Sequence, residues 1–329
     1  LGISLNVLGR YDEAEPVFRK ALLLNNQDPK VFHNQGISFQ DAGKSVAAIE
    51  SYRSALSMNP NLPTTLASLA SALEEVGQRE LAVQSYLNAI RLDPLYVAAH
   101  EGLQNIRWIS NEHDRLHETY QYACEKLPNS ADAFYNLARS LSNSNEIELA
   151  FDAVEKSLDL DNNHSGSFGV MATLHRAQKN FVLAIEAHKK TLELDRKNVL
   201  NLESYGYTLS VAGFFDQAVS ELMRAHKMHP RRSSILGGLT VAMNEVLDPK
   251  VDDLVNYATY VTTRSIEVPE GFNDLGEFNE ALHEEISARH EERPPPKDQS
   301  MRGGTQIPNH LFNGATGLTD VVKKQIINA

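Results

Sequence analysis

The feature that most constrains this chain is a rhythm. Counted in steps of 34 from Ala14, it reads Ala48, Ala82, Leu116, Ala150, Ala184 and Ala218, so one column of seven positions holds six alanines. A second column, Ala21, Ala55, Ala89, Ala123, Ser157, Thr191 and Ala225, is small throughout. A third is mostly bulky: Phe18, Tyr52, Tyr86, Tyr120, Val154, His188 and Leu222. A fourth, Asn26, Pro60, Pro94, Pro128, Asn162, Arg196 and Pro230, carries residues that stop a helix. Repetition at a fixed period of roughly 20 to 50 residues decides the architecture before any single element is read.

Two apolar stripes per period imply two helices. Between Pro63 and Pro94, Leu66, Leu69 and Leu73 recur at helical spacing, and Leu81, Ala82, Tyr86 and Ala89 do so in the next segment. Small residues let the pair approach closely while the aromatic fills the space beside them. Between the stripes a turn column reads Gly9, Gly43, Gly77, Asn111, Asn145, Lys179 and Gly213. Glycine, and after it asparagine, most readily takes the left-handed conformation that ends a helix. Proline at the end of the second helix forbids its continuation. A pair of this size buries its apolar face only against neighbouring pairs, so the repeats must stack.

These spacings resemble the tetratricopeptide repeat. Gly36, Ala48, Tyr52, Ala55 and Pro60 carry the likeness in one unit, and Leu66, Ala70, Gly77, Ala82, Tyr86, Ala89 and Pro94 carry it more fully in the next. The resemblance covers residues 1–244 in one register. It implies a mainly α fold, a right-handed α-solenoid of about seven helix pairs, with the first repeat expected to be truncated at Leu1 and the N-terminus to lie upstream. Repeat four departs most, with Leu116 in the alanine column and Arg107 in an apolar one, and repeat six has His175 and His188 in apolar columns. These departures leave local packing open without touching the fold.

In arrays of this kind the first helix of each pair lines a groove that takes peptides or partner helices. Carried onto this chain, the resemblance places Glu101, Asn105 and Trp108 of repeat four along it, then Tyr135, Asn136 and Arg139 of repeat five, Arg176 of repeat six, and Glu203 and Tyr207 of repeat seven. Arginines, amides and aromatics together can hold an extended peptide by backbone hydrogen bonds and stacking. The competing reading is a wet helix face with Trp108 packed between repeats. The basic and amide set with which some such domains clamp a terminal carboxylate is not reproduced in consecutive repeats, so that clamp is not expected.

Beyond residue 244 the pattern changes. An eighth first helix runs through Ile235, Leu236, Leu239 and Met243, but its partner is broken by Asp248 and Pro249. Residues 245–269 read as a connecting segment ending in a strand, because YVTTRSIEV from Tyr260 to Val268 is rich in β-branched residues. Phe278, Leu282 and Ile286 predict an amphipathic helix over Leu275 to Arg289, and Pro294, Pro295 and Pro296 impose extended backbone. A last helical stretch is expected from Thr319.

The tail resembles a second family. VPEGF at Val268 to Phe272, FNEAL at Phe278 to Leu282, and above all QSMRGGTQ (Gln299, Ser300, Met301, Arg302, Gly303, Gly304, Thr305, Gln306), followed by Leu311 and Phe312, look like the opening of a group of 2-oxoglutarate/Fe(II)-dependent oxygenases. That likeness implies that residues 270–329 begin a truncated α+β jelly roll (double-stranded β-helix). Fe(II) and 2-oxoglutarate are then implied for the uncut protein, with iron held by a His-x-Asp/Glu pair and a distant His beyond Ala329. No catalytic residue, metal ligand or cofactor is expected in the chain itself. Read without the likeness, Gly303 and Gly304 are no phosphate loop, since no Lys-Ser/Thr follows them. A tight turn anchored by Arg302 is the plainer reading.

Composition narrows the partners. Across 329 residues, 43 acidic against 31 basic side chains give −12, which repels a phosphate backbone, so nucleic acid is not expected. No apolar run has the roughly 18 residues a membrane span needs. The single Cys124 excludes an internal disulfide and suits a reducing compartment, so a cytoplasmic location is expected. Several strings mimic chemistry. His283 with Glu285 and His290 with Glu292 lie two apart on a helix and do not share a face. HDRLH, from His113 to His117, lacks the glutamate of a zincin. Cys124 reads as packing rather than nucleophile, and His226 and His229 as helix-end residues. The expected function is therefore protein or peptide binding, as the partner- or substrate-binding part of an oxygenase. The alternative is an assembly scaffold whose groove packs a second copy.

Overall fold

The structure, a computed structural model, describes residues 1–24, 28–251, 268–288, 317–318 and 320–322. Among them, sixteen α-helices and a one-turn 3₁₀ helix make up the named elements, and no strand occurs. They are α1 (Gly2–Val7), α2 (Tyr11–Leu24), α3 (Pro29–Asp41), α4 (Ser45–Met58), α5 (Pro63–Glu75), α6 (Arg79–Leu92), α7 (Val97–Ile109), the 3₁₀ turn (His113–Arg115) and α8 (Glu118–Lys126). There follow α9 (Ala131–Asn143), α10 (Ile147–Leu160), α11 (Ser165–Ala177), α12 (Phe181–Leu194), α13 (Val199–Val211), α14 (Phe215–Met228), α15 (Ser233–Glu245) and α16 (Leu275–Ala288). The chain divides into two compact units, Leu1–Thr119 with Arg264–Ala329, and Tyr120–Thr263. The expected strand at residues 260–267, the proline run and the QSMRGGTQ segment lie outside the described residues, so the jelly-roll start is not shown.

Within each unit one kind of turn joins the helices of a pair. All seven residues of the turn column have positive φ, from 58° at Asn111 to 82° at Gly213, and Leu247, one period further on, has φ 56°. This conformation lets the following amide reach back to a carbonyl one turn inside the helix. Lys44 N–H donates to Phe39 O at 2.7 Å, Gln78 to Leu73 at 2.8 Å, Asn180 to His175 at 2.8 Å, and Asp248 to Met243 at 3.0 Å. Otherwise unpaired carbonyls at the helix end are thereby satisfied. The eighth first helix, α15, thus ends as its predecessors do.

The second helices stop by another device. Oδ1 of Asn59, Asp93, Asp161 and Asp195 accepts from the amide two residues on, at 3.0 to 3.1 Å. These side chains close local turns whether proline follows, as at Pro60 and Pro94, or does not, as at Asn162 and Arg196.

Packing follows the columns. The six alanines of the first column are fully buried. A methyl group on Gly36 would fall 2.4 Å from the Tyr52 ring, and one on Gly206 2.4 Å from Leu222, so at these two positions the helices touch where only hydrogen fits. The polar members of the small column are satisfied locally: Ser157 Oγ donates to Ala131 O at 2.8 Å, and Thr191 Oγ1 to Ala187 O at 3.1 Å.

The two irregular repeats resolve differently. In repeat four the second helix yields, reduced to the 3₁₀ turn and the nine-residue α8 where its counterparts run 14 residues. Arg107, only 4% exposed, donates to the carbonyl of Arg115 and reaches Glu118 Oε2 at 2.7 Å. Gln104 Nε2 donates to Leu116 O at 3.2 Å. The oversized residues therefore cap the carbonyls that the shortened helix leaves open. In repeat six the helix keeps its length and the histidine is built in. His188 is fully buried, with Nδ1 2.7 Å from Asn201 Oδ1 and Nε2 3.0 Å from Thr208 Oγ1. Burial holds its pKa down at about 4, against the opposing effect of the Asn201 bond, and Arg176 lowers it further.

The tail helix forms over nearly its expected span. Asp274 accepts from Glu277 N–H at 2.9 Å, capping the start of α16, and the Glu277 carboxylate accepts from Asn273 N–H at 2.9 Å. Phe278 is buried, its ring edge-on to Phe272 at 5.2 Å.

Candidate functional site

The candidate groove residues fall in two units and are taken separately. In the first, Glu101 and Asn105 lie exposed on α7, while Trp108 is half-buried, its ring edge-on to His113 at 4.7 Å. That contact lies within repeat four, between the end of α7 and the 3₁₀ turn that follows it. A cavity of about 370 Å³ lies elsewhere, among Leu56, Pro60, Leu66 and Leu92.

In the second unit the first helices α9, α11, α13 and α15 line two adjoining hollows that share Leu200 and Ser204. The larger, about 730 Å³, takes its apolar wall from Leu200, Tyr207, Val211 and Val241 and its polar groups from Arg176, Glu203 and Arg232. The four wall residues are between 50% and 64% exposed, and they lie together in this one hollow. The guanidinium carbon of Arg176 lies 5.0 Å from the centroid of the Tyr207 ring, a cation–π contact that fixes both side chains. Arg232 Nε stands 2.7 Å from Glu203 Oε2, a close ion contact that lacks hydrogen-bond alignment. Gly237, midway along α15, faces open space: an added methyl would meet nothing within 4 Å.

The smaller hollow, about 220 Å³, is lined by Tyr135 and Arg139 of α9, by Gly166, Gly169 and Thr173 of α11, and by Asn198 and Asn201. Of the groove residues expected from the sequence, Tyr135 and Arg139 line the smaller hollow, and Arg176, Glu203 and Tyr207 line the larger. Asn136 does not line either hollow: it is 9% exposed. Sequence reading missed Leu200, Val211, Gly237, Val241 and Arg232. The apolar ones carry the same periodic signal as core residues, and Arg232 precedes α15, after which the repeat pattern breaks off in the sequence.

The same unit holds a Ser-His-Asp line that spacing did not reveal. Ser167 Oγ lies 2.8 Å from His164 Nδ1, and His164 Nε2 lies 3.1 Å from Asp132 Oδ1. It is a helix cap. Ser167 N–H also donates to Nδ1 at 3.1 Å, so that nitrogen is the acceptor and the proton sits on Nε2, facing Asp132. Ser167 is fully buried and its hydroxyl is shared with Ser157, so no substrate carbonyl reaches it. Cys124 is buried as well, and desolvation pushes its thiol pKa up to about 11, which suits packing. His113 is engaged by Trp108, and His283 is exposed on α16. Among the described residues no group of three or more His, Cys, Asp or Glu is placed to hold a metal ion. The iron implied by the tail resemblance has no donor set there, and nothing in the helical repeats calls for a cofactor. Among the same residues no helix is long and apolar enough to cross a membrane.

Comparison with known proteins agrees with the repeat pattern. Family models described as tetratricopeptide repeat match residues 65–95 and, with a second such model, residues 4–28 and 131–164. Of solved structures, yeast Tom70 superposes with a TM-score of 0.51 at 15% identity, over 77% of this chain and 63% of that one. This chain thus spans less than two thirds of the Tom70 chain, and the likeness is one of fold. The Cut9–Hcn1 hetero-tetramer of the APC/C gives 0.45 at 14% identity, over 73% of this chain and 47% of that one. No curated protein matches the sequence. The chain carries tetratricopeptide repeats.

Proposed function

We propose, from the tetratricopeptide repeats it carries, that this chain is a protein-binding module whose working surface is the groove of the second unit. The observation that supports this most is the 730 Å³ hollow with half-exposed apolar walls and the Arg176–Tyr207 cation–π pair at its side. A free protein gains nothing by leaving Leu200, Tyr207, Val211 and Val241 in water, whereas a partner side chain covering them removes that apolar area at roughly 25 cal/mol per Å². The hollow's size falls within the roughly 300–1,000 Å³ range of pockets that bury a ligand.

The test is selection of short linear peptides against the whole chain. Tyr207→Ala is expected to weaken the selected binders by about tenfold or more, as truncation of an aromatic anchor does. Unchanged circular-dichroism melting shows that folding is intact. Binders indifferent to Tyr207→Ala and to Leu200→Asp place the working surface elsewhere.

That the module serves an oxygenase is a further part of the proposal and rests on the tail resemblance alone, of which QSMRGGTQ is the sharpest part. A coding sequence that continues past Ala329 into His-x-Asp/Glu and a later His supports it. One that continues without them removes it.

A further inference from the structure

Resting on the groove reading, we infer the chemistry of its occupant: an internal stretch of polypeptide in which a bulky apolar side chain stands beside Asp or Glu. The apolar group fills the 730 Å³ hollow and the carboxylate meets Arg176.

Charge gives the first argument. The side chains lining the two hollows include Arg139, Arg176 and Arg232 against Glu203 alone, so the groove is net positive on a chain of net charge −12. A basic segment is repelled there and an acidic one drawn in. Within the set, Arg232 already faces Glu203. Arg176 touches the Tyr207 ring, and its Nε is buried without a hydrogen-bond acceptor. The ring contact leaves Nε without an acceptor, and a carboxylate matches the planar guanidinium fork in two parallel hydrogen bonds.

The second argument is room. Gly237 costs α15 about 1 kcal/mol of helix stability relative to alanine, and no neighbouring helix needs its lack of a side chain, since an added methyl meets nothing within 4 Å. The space it leaves belongs to the hollow, beside Val241 and Leu200. An aliphatic or aromatic side chain inserted there covers the apolar wall while its backbone passes Arg176.

Selection with short peptides blocked at both ends, so that no terminal carboxylate is offered, tests this directly. The enriched sequences are expected to share Leu, Ile, Met or Phe close to Asp or Glu. Arg176→Gln and the peptide's own Asp→Asn change should each weaken binding by about tenfold, and the two together little more than either alone. Gly237→Phe, which fills the hollow from a position with free space, should abolish binding without lowering the melting midpoint. Leu200→Asp is the second blocking variant should the phenylalanine disturb α15. Binders that either blocking variant removes, but which lack an acidic residue or ignore Arg176→Gln, overturn the inferred chemistry and leave the groove reading standing. No binder from any library overturns both.

Discussion

Lys179 and Leu247 hold backbone conformations for which their side chains are poorly suited. Both have φ near 60°, where a residue with Cβ is strained by roughly 1–2 kcal/mol, and Leu247 is exposed, so its side chain gains little in return. Leu247→Gly should stabilise the chain by about 1 kcal/mol, raising the thermal midpoint by about 2–4 °C. An unchanged or lower midpoint would show that the turn relaxes in solution. His188 sets a second expectation. Its folded pKa of about 4 lies below the ordinary 6.5, so the folded chain binds fewer protons there, and the stability tied to its neutral form is complete above pH 6.5 and lost as pH falls towards 4. The shift corresponds to about 3 kcal/mol. Burial lowers His33, His100 and His175 in the same sense, whereas it raises Asp41 and Glu74, whose contribution is lost as pH rises. Urea midpoints measured from pH 7 to 4 should fall, and His188→Leu, the residue type found in that column at Leu222, should flatten the slope. A slope untouched by the substitution assigns it to the other histidines.

At the scale of elements, repeat four shows how a helix pair survives residues that break its pattern. Arg107 and Gln104 donate to carbonyls released where α8 is cut short, so the guanidinium acts as a buried cap. Removing it leaves an acceptor unsatisfied, while Glu118, more than half exposed, keeps its contact with Arg115. Arg107→Ala should therefore destabilise by about 1–3 kcal/mol, and Glu118→Gln by less than about 1 kcal/mol, both read as shifts in urea midpoint. Equal effects would place the energy in the ion pair instead. The helix pairs were legible because small, bulky and turn positions recur every 34 residues, and a period survives several wrong residues. The irregular 3₁₀ turn was not legible, since Leu116 and Arg107 announce a misfit without saying which helix yields. Nor was the eighth turn, since leucine at residue 247 gives no sign of positive φ except its register with Gly213. In the groove, Arg176, Glu203 and Tyr207 stood out as polar or aromatic residues on first helices. Leu200 and Val241 did not, because periodicity alone cannot separate a wall left open from a core that is filled.

For the whole molecule, the charge pattern has a measurable consequence. A net negative chain with a positive groove should bind acidic segments faster and more tightly as ionic strength falls, since attraction between exposed charges fades over a Debye length of about 10 Å at 0.1 M salt. Binding of a selected acidic peptide is expected to weaken as salt rises, and Arg176→Gln should make it less salt-dependent. Binding that strengthens with salt would mean that apolar burial alone carries the complex.

The uniform turns have an effect on how such a gene can change. Among the described residues each first helix ends in the same hydrogen-bonded stop at the same place in its period, as between Phe39 and Lys44 and again between Leu73 and Gln78. Removing residues 44–77 joins Gly43 directly to Gln78 and rebuilds that stop. Unequal crossing-over between neighbouring copies can therefore lengthen or shorten the protein by whole units without leaving a frayed end, whereas insertions out of step with the period are penalised at once. Evolution of such a chain proceeds by counting.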